Sequence, residues 1–285
     1  MYTVKMLYLE HWLEYLWEYD MGNLFGIIGR YVINKLDYFS GVISLSVYSF
    51  IEMFRKHTSN QRFLLYQNVV KQIYFTGVQA LKSVFVVSIL LSFATISIMY
   101  TQFPNIVPKD TVSDIFVKVI FREIMPLVLM IIVISRSVSA IAVEIGNMTV
   151  NKEFDILVSM GIDPLFYLIL PRVIGMTVSL VLLSIFSSFV ILILGPTGII
   201  LFYDVDLDEV VNNIFSKVSL NDFILIFLKL LIVGFLLPSV ASYHGFKTPS
   251  RNLVPVSATK SIMSSLSLSF IFSLGLSVLF YIFVF

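Results

Sequence analysis

The residues best placed to do chemistry in this chain are charges set in apolar surroundings. Arg122 and Glu123 sit at one edge of an apolar run, Ile124 to Val143, which is interrupted only by Arg136 and followed by Glu144. A charge inside a bilayer costs about 2.5–3.5 kcal/mol or more unless it is paired or hydrated. Arg136 and Glu144 are eight residues apart in sequence, about 12 Å along a helix, so they cannot pair on one straight helix and each needs a partner elsewhere. Arg122 or Glu123 could line a polar mouth for a lipid head group, or form an interfacial salt bridge that fixes helix ends. Lys82 and Lys229 have stems long enough to snorkel to the interface. Ser135, Ser137, Ser139, Ser187 and Ser188 are of the type that tightens helix packing. Covalent and metal chemistry find no support. The three histidines, His11, His57 and His244, are far apart, and there is no cysteine. No GxxxxGK[ST] phosphate loop occurs, so ATP hydrolysis by that route is excluded and a transporter built on this chain must borrow its motor. No catalytic residue, metal site or cofactor is expected.

The elements that must position these charges are read from composition. Of 285 residues, 58% are hydrophobic and 13% charged, against roughly 45–50% and about 25% in a soluble domain. The mean hydropathy is +0.93. The net charge of +1 argues against a nucleic-acid binder, which carries a basic patch. A membrane-spanning helix needs about 20 apolar residues. Five segments bounded by charges qualify: Ser83 to Ile106, Ile124 to Val143, Val173 to Tyr203 (broken near its end by Gly195-Pro196), Phe223 to Tyr243 and Ser261 to Phe285. Leu24 to Phe54 holds Arg30, Lys35, Asp37 and Glu52 and reads as a helix lying at the interface. In Asn60 to Phe75, Phe63, Tyr66, Val70 and Ile73 recur on one face, an amphipathic helix leading into the first span. Met1 to Glu18 has three glutamates and no basic run before an apolar core, so it does not read as a cleavable signal. Its stripe of Glu10, Glu14 and Glu18 among aromatics could face the interface or a partner protein. The expected fold is an all-α membrane protein with about five transmembrane helices, preceded by interfacial amphipathic helices. It divides into an N-terminal interfacial segment, 1–59, and a permease-like domain, 60–285.

Loop charge sets the topology. His244 to Lys260 carries Lys247, Arg251 and Lys260 and no acids, whereas Asp204 to Asp222 is acidic apart from Lys217. Basic loops stay cytoplasmic, so the loop from Glu144 to Arg172 is cytoplasmic as well. Within it, Gly146 permits a turn after the span. Asn151 can cap a new helix with Glu153 in its first turn. Phe154, Leu157 and Val158 make one apolar face. Gly161 can end that helix and Pro164 start the next. The spacing fits a short helix parallel to the membrane, on which a cytoplasmic protein could dock, and it fits a plain connecting loop equally well.

Further residues in the same region carry a resemblance. Arg122-Glu123-Ile124-Met125-Pro126, Ser135 to Ala140, Ala142 to Met148, Met160-Gly161-Ile162-Asp163-Pro164 and Leu170-Pro171-Arg172 stand in the order and spacing of the MlaE/YrbE permease family, membrane subunits of ABC transporters that work with MCE-domain proteins. Gly77-Val78, Ala80-Leu81, Tyr243-His244-Gly245-Phe246 and Ala258-Thr259-Lys260 extend the likeness over roughly Asn60 to Phe285. The chain departs from it at Lys247-Thr248-Pro249-Ser250, where the family has more basic residues.

The resemblance implies a homodimer of permeases in a bacterial inner membrane, bound to two cytoplasmic ATPase subunits and meeting an MCE-domain lipid-binding protein on its outer face. It implies phospholipid as cargo. It makes the Lys152–Gly161 segment a coupling helix, with Glu144, Gly146, Glu153, Asp155, Met160, Gly161, Asp163 and Pro164 as candidates for coupling to the ATPase. Arg122, Glu123 and Arg136 are the head-group candidates. The main alternative is an ion- or solute-coupled secondary transporter, a class that places charges deep in several spans. Here the first, third and fifth spans carry none. A lipid-modifying enzyme would need clustered His, Asp or Glu at one depth, and none is seen.

Overall fold

The computed structural model describes residues 24–55, 58–102, 113–194, 196–197 and 207–284. The acidic N-terminal stripe and Gly195 lie outside them. The chain forms two units, Met1–Gly41 and Val42–Phe285. Among the described residues the structure is helical, with no strand.

Helix α1 spans Leu24–Phe54 and α2 spans Ser59–Thr76. The backbone N–H of Thr58 donates to the Gln61 side chain at 3.0 Å, part of a capping box that starts α2. A short 3₁₀ turn, Val78–Ala80, leads into α3, Leu81–Gln102. The next helix, α4, is built from four contiguous stretches: Phe116–Ile124 and Ile134–Val138 with wide π turns, Met125–Val133 and Ser139–Val150 with α turns. Then follow α5, Glu153–Ser159, α6, Leu165–Leu194, α7, Leu207–Lys217, α8, Leu220–Phe246, and α9, Val254–Val284.

Among the described residues, four helical runs are long and apolar enough to cross a membrane: Ser59–Ile98, Leu165–Leu194, Leu220–Phe246 and Arg251–Ile282. They hold four of the five expected spans. The remaining expected span, Ile124 to Val143, lies within α4, which packs against α6, α8 and α9. Helix α8 forms the centre, against α4, α6 and α9. Its most apolar stretch is 56% buried, against 22% for α2–α3 and 28% for α9, so α3 and α9 turn much of their apolar surface outward. Leu90 and Ile98 of α3, Ile185 and Phe189 of α6, and Ile271 and Ile282 of α9 are exposed. In water such surface would be a liability, and in lipid it is the natural outer face.

Close helix approach depends on glycine. A Cβ on Gly175 of α6 would meet the Gln72 side chain of α2 at 2.7 Å, and one on Gly234 of α8 would meet the Thr177 backbone at 2.9 Å. Small residues let backbones approach where no hydrophobic effect drives helices together. Gly146, expected at a turn, lies inside α4, which continues to Val150. It is buried, and a Cβ there would stand 3.1 Å from Thr248 Oγ1. The turn comes later, at Lys152, whose φ of 57° is left-handed.

Candidate functional site

Two groups of polar residues occupy opposite ends of α4. Arg122 and Glu144, one from each group, are 22 residues apart, on the order of 30 Å along the helix.

At the first end, Arg122 and Glu123 lie in the π stretch that opens α4. Arg122 Nη1 donates to Asp222 Oδ1 of α8 at 3.1 Å, and both side chains are buried. Asp222 also accepts from the Ser219 backbone N–H at 2.8 Å, so one carboxylate both caps α8 and neutralises an arginine. The guanidinium lies between the rings of Phe280 and Tyr281, 4.8 and 4.4 Å from their centroids. Its Nε and Nη2 are buried without a hydrogen-bond partner.

Glu123 Oε2 accepts from Lys229 Nζ of α8 and from Ser277 Oγ of α9, each at 2.7 Å. Lys229 is fully buried, so it does not snorkel as its long stem suggests. The reason is local. Pro126 has no N–H to offer the carbonyl four residues back, that of Arg122. Lys229 Nζ donates to that carbonyl at 3.3 Å. The proline was visible in sequence, and beside Glu123 it marked a turn with a carbonyl that its own helix does not bond. Asp222, Lys229 and Ser277 were not read from sequence as parts of this cluster.

Arg136, in the second π stretch, finds the partner it needs in Gln79, to which its Nη2 donates, and lies 5.7 Å from the Phe75 ring centroid. It is separate from the Arg122–Glu123 cluster and belongs with the α2–α3 junction. Glu144 likewise finds its partner on another helix: Arg172 Nη2 of α6 donates to it at 2.8 Å.

Beyond Glu144 the chain turns into α5. Of the two sequence alternatives, the short helix is the one formed. Asn151 does not cap it; Lys152 takes that place, and the Asn151 side chain donates to Glu153 Oε1 at 3.1 Å. Gly161 ends it with φ of 75°, Gly161 N–H reaching Val158 O at 3.0 Å and Ile162 N–H reaching Leu157 O at 2.9 Å. This paired closure needs a residue comfortable in the left-handed region, hence glycine. The Phe154 ring packs on Phe246 at the end of α8, 4.9 Å between centroids. The expected apolar face therefore divides: Phe154 points inward, whereas Val158 is exposed together with Ile156 and Met160.

Asp163 caps the following helix, accepting from the Leu165 N–H at 2.9 Å, and its other oxygen accepts from the Tyr48 hydroxyl of α1. Burial and the neighbouring Asp163 carboxylate push the Tyr48 hydroxyl well above its ordinary range. Pro164 sits just ahead of the first turn of α6. The arrangement is a small outward platform, Glu153 to Met160, tied to α8 by Phe154 and followed by a corner tied to α1 by Tyr48. No group of three or more His, Asp or Glu that could hold a metal occurs among the described residues.

Known proteins resemble this chain. A probable ABC transporter permease protein of Rickettsia prowazekii is 26% identical over 183 residues, covering 62% of this chain and 69% of that one. A probable ABC transporter permease protein of Rickettsia typhi is 25% identical over 230 residues, 79% of this chain and 84% of that one. The chloroplastic protein named Trigalactosyldiacylglycerol 1, of Arabidopsis thaliana, is 29% identical over 119 residues, 42% of this chain and 34% of that one. The family described as Permease MlaE matches residues 69–279, from the second half of α2 to the outer part of α9. With both polar ends of α4, the platform of α5 and the helices that hold them inside that match, the chain belongs to the MlaE permease family.

Proposed function

We propose that this chain is the membrane subunit of an ABC transporter that moves phospholipid, or a related lipid, between membranes. The observation that carries the reading is α5. It is a short helix held between two membrane helices, with Ile156, Val158 and Met160 turned outward and Phe154 seated on α8. A cytoplasmic ATPase seated on that platform would push on α4 and α6 as levers. Glu144, Gly146, Glu153, Asp155, Met160, Gly161, Asp163 and Pro164 would transmit or receive that push. Gly146 does so by letting α4 lie close to Thr248 and Val254, and Glu144 through Arg172. Lipid cargo is supported by the outward apolar faces of α3, α6 and α9 and by a relative whose name is that of a lipid. Arg122 and Glu123 would meet a head group at the other end of α4. The working unit is a homodimer with two ATPase subunits and an MCE-domain protein on the outer side, in a bacterial inner membrane.

Ion-coupled secondary transport is less well supported. Arg122, Glu123, Asp222 and Lys229 neutralise one another in two ion pairs. Purification of the tagged chain in mild detergent, with co-purifying proteins and lipids identified by mass spectrometry, tests the assignment. An ATPase, an MCE-domain protein and phospholipid are expected together. Recovery of the chain alone, without ATPase or lipid, would sink it.

A further inference from the structure

A cavity lies at the α5 end of the molecule, away from Arg122 and Glu123. It has a volume of about 680 Å³ and is walled by α2, α4 and the first turns of α6. That size falls within the roughly 300–1,000 Å³ of small-molecule sites. Phe75, Ile141 and Leu168 supply apolar wall, and Lys71, Glu144 and Arg172 supply charge. The two cations against one carboxylate leave the lining net positive. Arg172 is buried, and although Nη2 is held by Glu144, its Nη1 has no hydrogen-bond partner. A buried donor without an acceptor is costly, and such a group in a native structure asks for a partner. Lys71 is exposed and makes no ion pair with another described residue.

The place of this cavity says what could fill it. Arg172 lies eight residues beyond Pro164, and Glu144 six before the end of α4 at Val150, each about 9–12 Å from the α5 corner. Its outer wall is α2, whose Phe63, Tyr66 and Tyr74 are exposed, as suits a helix at the membrane surface. Its inner wall is fixed, because α2 packs on α6 so closely at Gln72 that only glycine fits at 175.

We infer that this cavity binds one anionic phospholipid at the α5 end of the membrane. The phosphate is shared between Lys71 and Arg172, and the start of an acyl chain lies against Phe75, Ile141 and Leu168. The site is separate from the head-group candidates Arg122 and Glu123, whereas the third candidate, Arg136, lies over the Phe75 ring at its wall. A lipid there would hold α2 against α4 and α6, the two helices that α5 joins.

The test uses the full chain in phosphatidylcholine nanodiscs containing a phosphatidylglycerol probe with a photoreactive diazirine beside its head group. The same probe on phosphatidylcholine is the control, and labelled peptides are identified by mass spectrometry. The phosphatidylglycerol probe is expected to label residues 68–75 and 165–172 about fivefold more strongly than the control, the worth of one basic contact to an anionic lipid. Lys71→Glu, at an exposed position, should lower this labelling by about fivefold or more. Ala140→Trp, which puts an indole into the cavity, should abolish it while the thermal melt shows a folded protein. Equal labelling by the two probes, or labelling unchanged in Lys71→Glu, overturns the proposal. Loss of labelling with excess inorganic phosphate also overturns it, since the site would then be one for free phosphate. The readout needs neither ATP nor transport, so failure of the transport assignment would leave it unchanged.

Discussion

At the scale of single residues, the ion pairs at the start of α4 are structural as well as polar. Lys229 is fully buried, and its ammonium touches Glu123 and the Arg122 carbonyl. Removing one partner of a buried pair strands the other, at about 3–5 kcal/mol, whereas replacing both with apolar or neutral groups is often close to neutral. Lys229→Met is therefore expected to lower the melting temperature in detergent sharply. Adding Glu123→Gln should restore most of it, and a double variant no more stable than the single one would show that the pair is not coupled. Tyr48 offers a pH test at the other end. Its pKa is raised by burial and by Asp163, so the neutral hydroxyl is the favoured form. The stability it contributes is complete below the ordinary tyrosine value of about 10 and is lost as pH rises beyond that. Ultraviolet difference titration should show one tyrosine ionising after the exposed ones, and Tyr48→Phe should remove that late step.

At the scale of elements, glycine positions decide which helices touch. A Cβ on Gly245 of α8 would come within 2.7 Å of the Ile145 Cβ and Cγ2 of α4, and neither branched carbon can swing away, whereas Gly275 of α9 has open space around it. Gly245→Ala should cost about 1–3 kcal/mol through overpacking. Gly275→Ala should be neutral or stabilising by up to about 1 kcal/mol, because alanine is the better helix former. Thermal unfolding of the two variants side by side checks the contrast, and equal effects would remove the packing explanation. The wide turns of α4 belong to the same scale. Both of its π stretches carry an arginine, Arg122 and Arg136, and wide turns of this kind gather at functional positions.

At the scale of the whole molecule, the proposed coupling runs from α5 into the bundle. Glu153 and Asp155 are the acids in the first turn of α5, and neither is used in an ion pair with another described residue. Replacing both by lysine is expected to leave the proposed dimer intact but to separate ATP hydrolysis from lipid movement in reconstituted vesicles. Normal transport by that variant would remove α5 from the coupling path.

Much of this was legible in the sequence, for a physical reason: hydrocarbon allows few solutions for a backbone. Charge-free runs of span length had to be helices, and Gly161 and Pro164 could mark the end of one helix and the start of the next, in a segment that fitted a plain loop equally well; the Asp163 cap came from the structure. Arg136 and Glu144 could be seen to need partners on other helices, because spacing along one helix is fixed. Which partners they have was settled by tertiary structure alone. Gln79 and Arg172 come from distant parts of the chain, as do Asp222, Lys229 and Ser277 around Arg122 and Glu123. Gly146 shows the same division. Its residue type permits a turn or a close contact equally, and only the approach of Thr248 and Val254 to α4 selected the contact. Lys229 is the sharpest instance. A lysine stem can reach water or the interior, and a carbonyl left free by Pro126, with a carboxylate beside it, drew the charge inward.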